Sequence, residues 1–279
     1  MKRKLGSTTV ILVLILLIGL SLLLYPSVSN YWNSIHQSRA ISTYVETVSH
    51  IDNDEYKQIL NGARQYNQDL AATGIRWNMS TEQRSRYLSL LSFDRSGLMG
   101  FLEIPKLKVM LPIYHGTDEG ILQQGVGHLE STSLPVGGYG SHCALSGHRG
   151  LPSATLLSDL NKLVVGDTFT LNVLDEVLTY EVDQIRVVLP ADLKDLEIVP
   201  EMDYCTLVTC TPYGINTHRL LVRGHRTSNL PGDIRVTADA LQINEKLVAL
   251  AIAVPFLIIL ALYRMIFPGR PAPTKRKRM

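Results

Sequence analysis

TLVTC (Thr206–Cys210) is a run of β-forming residues that ends on a cysteine, and Arg219 follows it nine residues later in HRLLVRGHR (218–226). The segment between them, TPYGINTH (211–218), contains proline, glycine and asparagine, which favour turns. The two runs therefore predict an antiparallel β-hairpin with Cys210 and Arg219 facing each other at its mouth. A thiol beside a fixed cation is the first candidate for chemistry in this chain.

The N-terminal segment is long and apolar enough to cross a membrane. Val10 to Leu24 is apolar except for Gly19 and Ser21, and a basic stretch precedes it. Extended to Thr8–Val28, the segment reaches roughly 20 residues, the length that a hydrocarbon core requires. A cleaved signal peptide is the alternative. Because no small-x-small cleavage motif follows Leu24, we predict an uncleaved anchor.

A second apolar segment, Leu247–Tyr263, contains one proline and no charged residue, and the basic tail 264–279 follows it. Positive residues thus flank the outer ends of both segments, which predicts that both termini are cytoplasmic. The region from about Asn30 to Lys246 would then lie outside the cell. A buried core helix is the alternative for this second segment.

The region between the two segments, roughly 215 residues, is ample for one domain with a real core. The formal net charge is +2, and the basic residues cluster at the tails. Since no basic stripe is interleaved with aromatic residues, nucleic acid is not an expected partner. The cysteines are Cys143, Cys205 and Cys210. Three are a poor disulfide framework, so we expect a reactive thiol, with a Cys143–Cys205 bridge as the alternative.

Helices are predicted before the strands begin. From Ile41 to Leu70 apolar residues recur at helical spacing, and Asp52-Asn-Asp interrupts the run and can cap a second helix. Ser80-Thr-Glu-Gln fits a capping box that opens a short helix through Leu91. The residues from Ile75 to Met79 are predicted to form an irregular loop.

Strands and turns are predicted after Gly97. Their short length and Gly/Pro punctuation indicate a small barrel or sandwich. One helical stretch, Ala154 to Leu163, is expected to interrupt them. The predicted strands are Met99–Ile104, Lys108–Ile113, Asp167–Leu174, Val177–Leu189, Thr206–Cys210 and Arg219–Arg226. Within Thr206–Cys210, the side chains of Thr206, Val208 and Cys210 should share one face, with Cys205 on the opposite side.

A catalytic thiol needs a proton partner and a polar, cationic neighbourhood. His148 is the strongest of the eight histidines, because it lies between glycines in LSGHRG (145–150), at the expected end of a strand. The other seven fit solvated or hydrogen-bonded surface positions, with His218 the main competitor because it adjoins Arg219. A pair of metal ligands at His128 and His142 lacks supporting Cys or carboxylate spacing.

Together these motifs resemble the sortase family, most closely the class C, pilin-polymerising sortases of Gram-positive bacteria. The resemblance rests on LSGHRGLP (145–152), Gly166-Asp, TLVTCTPYGINTHR (206–219) and LVRGHR (221–226), within roughly residues 97–226. It implies a closed eight-stranded β-barrel. The two terminal apolar segments are also similar to those of that class.

The resemblance further implies a Cys-His-Arg site. Carried over by motif, Cys210 is the nucleophile, His148 the proton donor and acceptor, and Arg219 the group that holds the substrate carbonyl or the oxyanion. The expected reaction cleaves an LPxTG-like sorting signal between threonine and glycine through a thioester. The acyl group then passes to a lysine amine of another pilin subunit. The sequence has no cofactor motif, and we expect no cofactor.

The chain departs from the class C pattern in one place. Many class C sortases carry a lid before the barrel, anchored by an Asp-Pro-aromatic motif, and none occurs between Leu70 and Asp94. Trp77 is the nearest aromatic candidate for a lid anchor, although Arg76 rather than Asp-Pro precedes it. We expect no lid or a loose one, with packing of Trp77 on the helices as the alternative.

The predicted organisation has six parts: a basic tip and anchor (1–30), an extracellular helical or lid region (31–96), the catalytic barrel (97–230), a linker (231–246), a second transmembrane helix (247–263) and a basic cytoplasmic tail (264–279). Two other functions stay open. One is a housekeeping sortase that attaches surface proteins to the cell-wall precursor. The other is a non-catalytic, membrane-anchored peptide-binding β-domain in which Cys210 is structural.

Overall fold

The computed structural model describes residues 7–75, 77–93 and 96–229. The chain begins with three helices: α1 (Ser7–Ser49), α2 (Asn53–Thr73) and α3 (Thr81–Ser89). Asp52 caps α2 by accepting hydrogen bonds from the backbone N–H groups of Asp54 and Glu55, and Ser80 and Gln83 form the predicted capping box of α3. Both caps were therefore predicted correctly from the local sequence.

Helix α1 is longer than the sequence pattern predicted. It continues through Pro26 into the segment around Ile41, so the apolar N-terminal segment and the first predicted helix of the next region form one helix. Within the described residues, α1 is the one helix whose length and composition would let it cross a membrane. The second predicted crossing, Leu247–Tyr263, lies outside the described residues.

Eight strands form a closed barrel in the order β1-β2-β3-β4-β7-β8-β6-β5. The prediction of an eight-stranded barrel is confirmed. The β2–β3 and β4–β7 pairs are parallel, and the other pairs are antiparallel. The strands are β1 (Leu98–Ile104), β2 (Val109–His115), β3 (Val126–His128), β4 (Ser141–Ser146), β5 (Thr168–Val173), β6 (Glu176–Val188), β7 (Asp203–Thr211) and β8 (His218–Arg226).

The helix predicted over Ala154–Leu163 is wrong. That stretch contains turns and a single 3-10 turn, Leu160–Lys162, while a four-residue helix, α4 (Glu119–Leu122), lies elsewhere. Its leucines are buried, and Leu156 has a positive φ of 40°, which an α-helix does not permit. The segment is therefore irregular and packs against the barrel core. The spacing of its apolar residues only resembles that of a helix.

The helical region is fixed to the barrel by buried polar contacts. The Tyr44 hydroxyl donates to the Met99 carbonyl (2.9 Å) and accepts from the Leu174 N–H (2.7 Å). Asn67 on α2 makes two hydrogen bonds with the Leu134 backbone, at 3.0 and 2.7 Å. These contacts join α1 to β1 and to the turn after β5, and they join α2 to the β3–β4 connection.

Replacing Tyr44 with phenylalanine is expected to lower the free energy of unfolding by about 1–3 kcal/mol, because it leaves a buried N–H and a buried carbonyl without their shared partner. Urea unfolding of the full chain in detergent measures the change. Tyr139→Phe is the control, since Tyr139 is 88% exposed and should leave stability unaltered. Equal stability of the two variants would contradict the anchoring role of Tyr44.

Candidate active site

The predicted hairpin is present, and it pairs Cys210 directly with Arg219. Strands β7 and β8 are antiparallel, with Thr209 opposite Leu220 and Thr211 opposite His218 on either side of that pair. Directly opposed residues of an antiparallel pair project to the same face of the sheet. The thiol of Cys210, which is half-buried, and the guanidinium of Arg219 therefore start from neighbouring positions on one face.

The other two cysteines belong to the opposite face. Cys205 is buried in the barrel core and is the register partner of Cys143 on the parallel strand β4. Both thiols are free. Burial raises the pKa of Cys205, and its contact with Cys143 adds to the rise. The predicted separation of Cys205 from Cys210 is confirmed, and both Cys143 and Cys205 belong to the hydrophobic core.

His148 reaches the same place through the parallel pairing of β4 with β7. The last paired residues are Ser146 and Val208, so two residues further along the chains are His148 and Cys210. Two hydrogen bonds continue the contact past the ladder: the Gly147 N–H donates to the Val208 carbonyl (3.0 Å), and the Thr209 hydroxyl donates to the Gly147 carbonyl (2.8 Å). The fold thus brings the ends of β4, β7 and the start of β8 together.

A carboxylate lies beside His148 that the sequence did not reveal. Glu119 opens helix α4, and its Oε1 lies 3.4 Å from the buried Nε2 of His148. The pair is within ion-pair distance, although its angles do not meet hydrogen-bond geometry. A hydrogen bond from Gln123 and the nearby charge of His148 hold the pKa of Glu119 below its usual value. Glu119 and His148 come from distant parts of the chain, so no local pattern marks them as neighbours.

Arg219 turns toward the loop between β7 and β8. Its Nη1 donates to the carbonyls of Asn216 (3.3 Å) and His218 (3.2 Å), and Asn216 has a positive φ of 61°. His218, the competing histidine, is itself paired with Thr211 and lies 3.0 Å from the Thr217 hydroxyl through Nδ1. The guanidinium is therefore held against the loop that connects β7 to β8.

Arg149 ties the segment after His148 to the segment after Cys210. Its Nη1 donates to the Thr211 hydroxyl (3.1 Å), and its Nη2 donates to the Asn161 side chain (3.0 Å). Gly150 has φ of 81°, and a Cβ there would lie 2.9 Å from the Tyr213 ring. Only glycine fits this conformation at this close approach. Arg149 lies within the LSGHRGLP motif, and the motif alone does not predict this role for it.

Three histidines that were predicted to lie at the surface are buried. They are His115, His128 and His142. His128 Nδ1 lies 3.0 Å from the hydroxyl of Tyr87, a residue of α3 that is itself fully buried. The His128 Nε2 lies 2.8 Å from the nearby Ser133 carbonyl, but Tyr87 comes from a distant element, so the residues around His128 gave no sign of its burial.

His142 is a buried, neutral histidine. Its Nδ1 lies 2.9 Å from the Glu197 carbonyl, which can only accept, so Nδ1 donates and Nε2 accepts from the Thr206 hydroxyl at 2.7 Å. Burial lowers the pKa of His142 to about 4, and the positive charge of Arg223 also disfavours the protonated ring. The imidazole therefore holds the segment before β7 against the outer face of the barrel.

This lowered pKa predicts a loss of stability in acid. Between pH 6.5 and 4 the unfolded state binds the proton and the folded state does not, so stability falls as the pH drops through that window. The loss from this group is on the order of 3 kcal/mol. Urea unfolding at several pH values should show a shallower acid loss for His142→Gln than for wild type. Identical slopes would contradict the assignment.

Trp77 lies in the irregular segment between α2 and α3 and is 38% exposed. The predicted loop over Ile75–Met79 agrees with the described residues there. Beside this segment, α2 ends at Thr73 with Gly74 as its C-cap. The Ala71 side chain in its last turn lies near Gly140, which is also close to the Pro200 carbonyl. The helical region thus extends to the connection between β6 and β7.

The closed eight-stranded barrel, with Cys210, His148 and Arg219 at the ends of adjacent strands, agrees with the arrangement that the resemblance to sortases implies. The model of the sortase domain matches residues 102–227. The chain belongs to the sortase family, whose members are cysteine transpeptidases.

Solved structures similar to this chain include class C enzymes. Sortase C1 from Streptococcus agalactiae is 55% identical, with a TM-score of 0.68, over 69% of this chain and 100% of that one. Sortase C from Clostridium perfringens, solved with the C-terminal cell wall sorting motif, is 41% identical with a TM-score of 0.61, over 68% and 99% of the two chains.

Similar curated proteins include sortase D of Bacillus subtilis strain 168. It is 32% identical over 132 residues, which are 46% of this chain and 64% of the relative. Sortase SrtE1 of Streptomyces coelicolor is 30% identical over 154 residues, or 50% of this chain and 43% of the relative. The chain thus spans less than two thirds of the length of these curated relatives.

Proposed function

We propose that this chain is a membrane-tethered transpeptidase that joins pilin subunits, with Cys210, His148 and Arg219 as its catalytic residues. The observation that carries the proposal is the register: Cys210 faces Arg219, and His148 lies two residues past the β4–β7 ladder that ends at Val208. A nucleophile, a proton carrier and an obligate hydrogen-bond donor then serve one reacting carbonyl.

In the first step the Cys210 thiolate attacks the threonine carbonyl of an LPxTG-like signal. The tetrahedral intermediate collapses as the bond between the threonine carbonyl carbon and the glycine nitrogen breaks. His148 gives a proton to the departing glycine amine. The product is a thioester between threonine and Cys210. The Glu119 carboxylate lies 3.4 Å from His148 Nε2, within ion-pair distance of the ring that donates this proton.

Arg219 would stabilise the oxyanion of that intermediate. A guanidinium is a donor and cannot act as a base. Both of its described hydrogen bonds come from Nη1, one to the Asn216 carbonyl in the loop and one to the His218 carbonyl at the start of β8, and they orient the group before substrate arrives. Donors that are oriented in advance lower the barrier because they need no reorganisation in the transition state.

In the second step a lysine amine of another pilin subunit opens the thioester. The amine attacks the acyl carbon, His148 accepts its proton, and the carbon–sulfur bond breaks to restore the Cys210 thiolate. The new bond is an isopeptide bond. A pilin acceptor is supported by the similarity to class C sortases, and a sorting-signal donor by the Clostridium perfringens structure that contains such a motif.

We propose a division of the chain that follows the sequence prediction. Residues 1–30 anchor the enzyme, 31–96 form an extracellular helical region, 97–230 form the catalytic barrel, and 247–263 cross the membrane again. Long, apolar α1 supports the first crossing. Protease protection of a tag at the C-terminus in intact cells tests the second, because digestion from outside would contradict a cytoplasmic tail.

We propose that the mouth of the site is open or only loosely covered. Support comes from the missing Asp-Pro-aromatic motif and from the exposure of Trp77. Trp77→Ala should then leave the rate at which a small maleimide alkylates Cys210 within about twofold of wild type, since a residue that does not shield a thiol does not control its reactivity. A large acceleration would identify Trp77 as a lid anchor.

The decisive experiment is intact mass spectrometry of the full chain after incubation with an LPxTG-type peptide, with and without a pilin that supplies a lysine. A mass increase equal to the acyl fragment on Cys210, removed when the pilin is added, supports the proposal. Transfer to a cell-wall precursor amine with no pilin polymer would favour the housekeeping function. Peptide binding with no covalent adduct would favour the non-catalytic domain.

A further inference from the structure

We infer that Asn30, Asn33 and Gln37 of α1 are positioning residues for His148, so that the helix leading from the apolar segment sets the geometry of the active site. This inference rests on the proposed function, because it concerns how the proposed proton carrier is held. The three residues are spaced at i, i+3 and i+7, which places them along one face of a helix.

The first two residues bind the segment that follows His148. The Asn30 Oδ1 accepts two hydrogen bonds from Thr155, one from its N–H (2.8 Å) and one from its hydroxyl (2.9 Å). The Asn33 Nδ2 donates to the Ser153 carbonyl at 2.8 Å. Three hydrogen bonds therefore connect two adjacent turns of α1 to a three-residue stretch of this loop.

From that loop a chain of hydrogen bonds leads to His148. The Thr155 carbonyl accepts from the Ser158 N–H (2.8 Å), and the Ser158 hydroxyl accepts from the Gly150 N–H (3.0 Å). The Leu157 N–H donates to the carbonyl of His148 itself (3.2 Å). The backbone on the C-terminal side of His148 is thus held by a loop that α1 holds.

The third residue reaches the other segment that contacts His148. The Gln37 Nε2 donates to the carbonyl of Gln124 at 3.0 Å, just after helix α4. Helix α4 carries Glu119, whose carboxylate faces the His148 ring. One face of α1 therefore contacts both the loop after the histidine and the segment that supplies its carboxylate. An imidazole that transfers protons requires both placements.

The hydrogen-bond roles give a test that separates positioning from general stability. Asn30 is an acceptor in both of its bonds, so Asn30→Asp keeps them and Asn30→Ala loses them. Asn33 is a donor, so Asn33→Asp loses its hydrogen bond, although the same asparagine-to-aspartate change at Asn30 keeps both bonds. Ser34 is the matched control, because the hydrogen bond described for its hydroxyl goes to the Tyr31 carbonyl within α1.

The experiment uses the full chain in detergent with an LPxTG-type peptide, at a temperature where circular dichroism shows every variant folded. Asn30→Ala and Asn33→Asp are expected to lower the rate of acyl-enzyme formation about 5- to 30-fold with KM for the peptide unchanged. Asn30→Asp and Ser34→Ala should stay within about twofold of wild type. Deuterium uptake by the peptide 148–158 should rise in the first two variants only.

Wild-type rates in Asn30→Ala and Asn33→Asp, with unchanged deuterium uptake, would overturn the inference. Equal losses in Asn30→Ala and Asn30→Asp would also overturn it, because the acceptor would then be irrelevant. If wild type itself forms no acyl-enzyme, the proposed function fails, while the deuterium uptake still reports whether α1 holds the loop.

Discussion

Replacing Cys210 with alanine is expected to lower kcat/KM for an LPxTG-type peptide and an acceptor amine by at least about a thousandfold, because no other group can form the thioester. The chain's other two thiols cannot replace it, since Cys143 on β4 and Cys205 on the opposite face of β7 are both buried in the barrel core. The measurement is single-turnover cleavage of a labelled peptide, together with the mass of the acyl-enzyme.

Cys143→Ala is the matched control for the loss of a thiol. It removes a buried sulfur from the core, so it should reduce stability slightly and leave turnover per folded molecule close to wild type. Thermal unfolding of both variants shows how much enzyme is folded in each assay. Cleavage by Cys210→Ala at the wild-type rate would refute the catalytic assignment.

Replacing His148 with alanine is expected to lower the rate of acyl-enzyme formation by about 10²–10⁴-fold, the contribution that a positioned general acid and base usually makes. The binding of the peptide should change little, so the loss should appear in kcat. The rate of acylation in a rapid-quench experiment measures it without interference from the later transfer to an amine.

His218→Ala provides the comparison for this second prediction. His218 adjoins Arg219 and lies opposite Thr211, the residue after Cys210. It is therefore near the thiol, but on the β8 side of β7 and not on the β4 side. Its replacement should alter the rate by less than about threefold. If His218→Ala is the damaging change and His148→Ala is mild, the roles of the two histidines are exchanged.

The parts of the site that could be predicted are those whose residues lie close together in the sequence or belong to a recognisable motif. Cys210 and Arg219 lie nine residues apart in one hairpin, and alternation along a strand fixed which cysteine faces away. His148 was chosen from its glycine-flanked motif. The parallel pairing that delivers it joins β4 to β7 across about 60 residues of chain, and no local pattern encodes such a pairing.

The remaining errors have the same physical origin. The Tyr87 hydroxyl reaches buried His128 from a distant segment, and the Thr206 hydroxyl and the Glu197 carbonyl reach buried His142 in the same way. The irregular run around Leu156 packs its leucines into the core without forming a helix. In each case tertiary packing overrode a tendency that a short stretch of sequence expresses.

One thiol of the chain is half-buried and the other two lie in the core, so labelling of the accessible thiol can be used to count active sites. A maleimide reagent should modify one thiol per native molecule, at Cys210, and three after denaturation, because Cys143 and Cys205 are sealed inside the barrel. A fluorescent label could therefore be placed at the reacting centre with no engineered cysteine. The fraction of a preparation that takes up the label quickly would then report how many molecules hold an accessible, intact site.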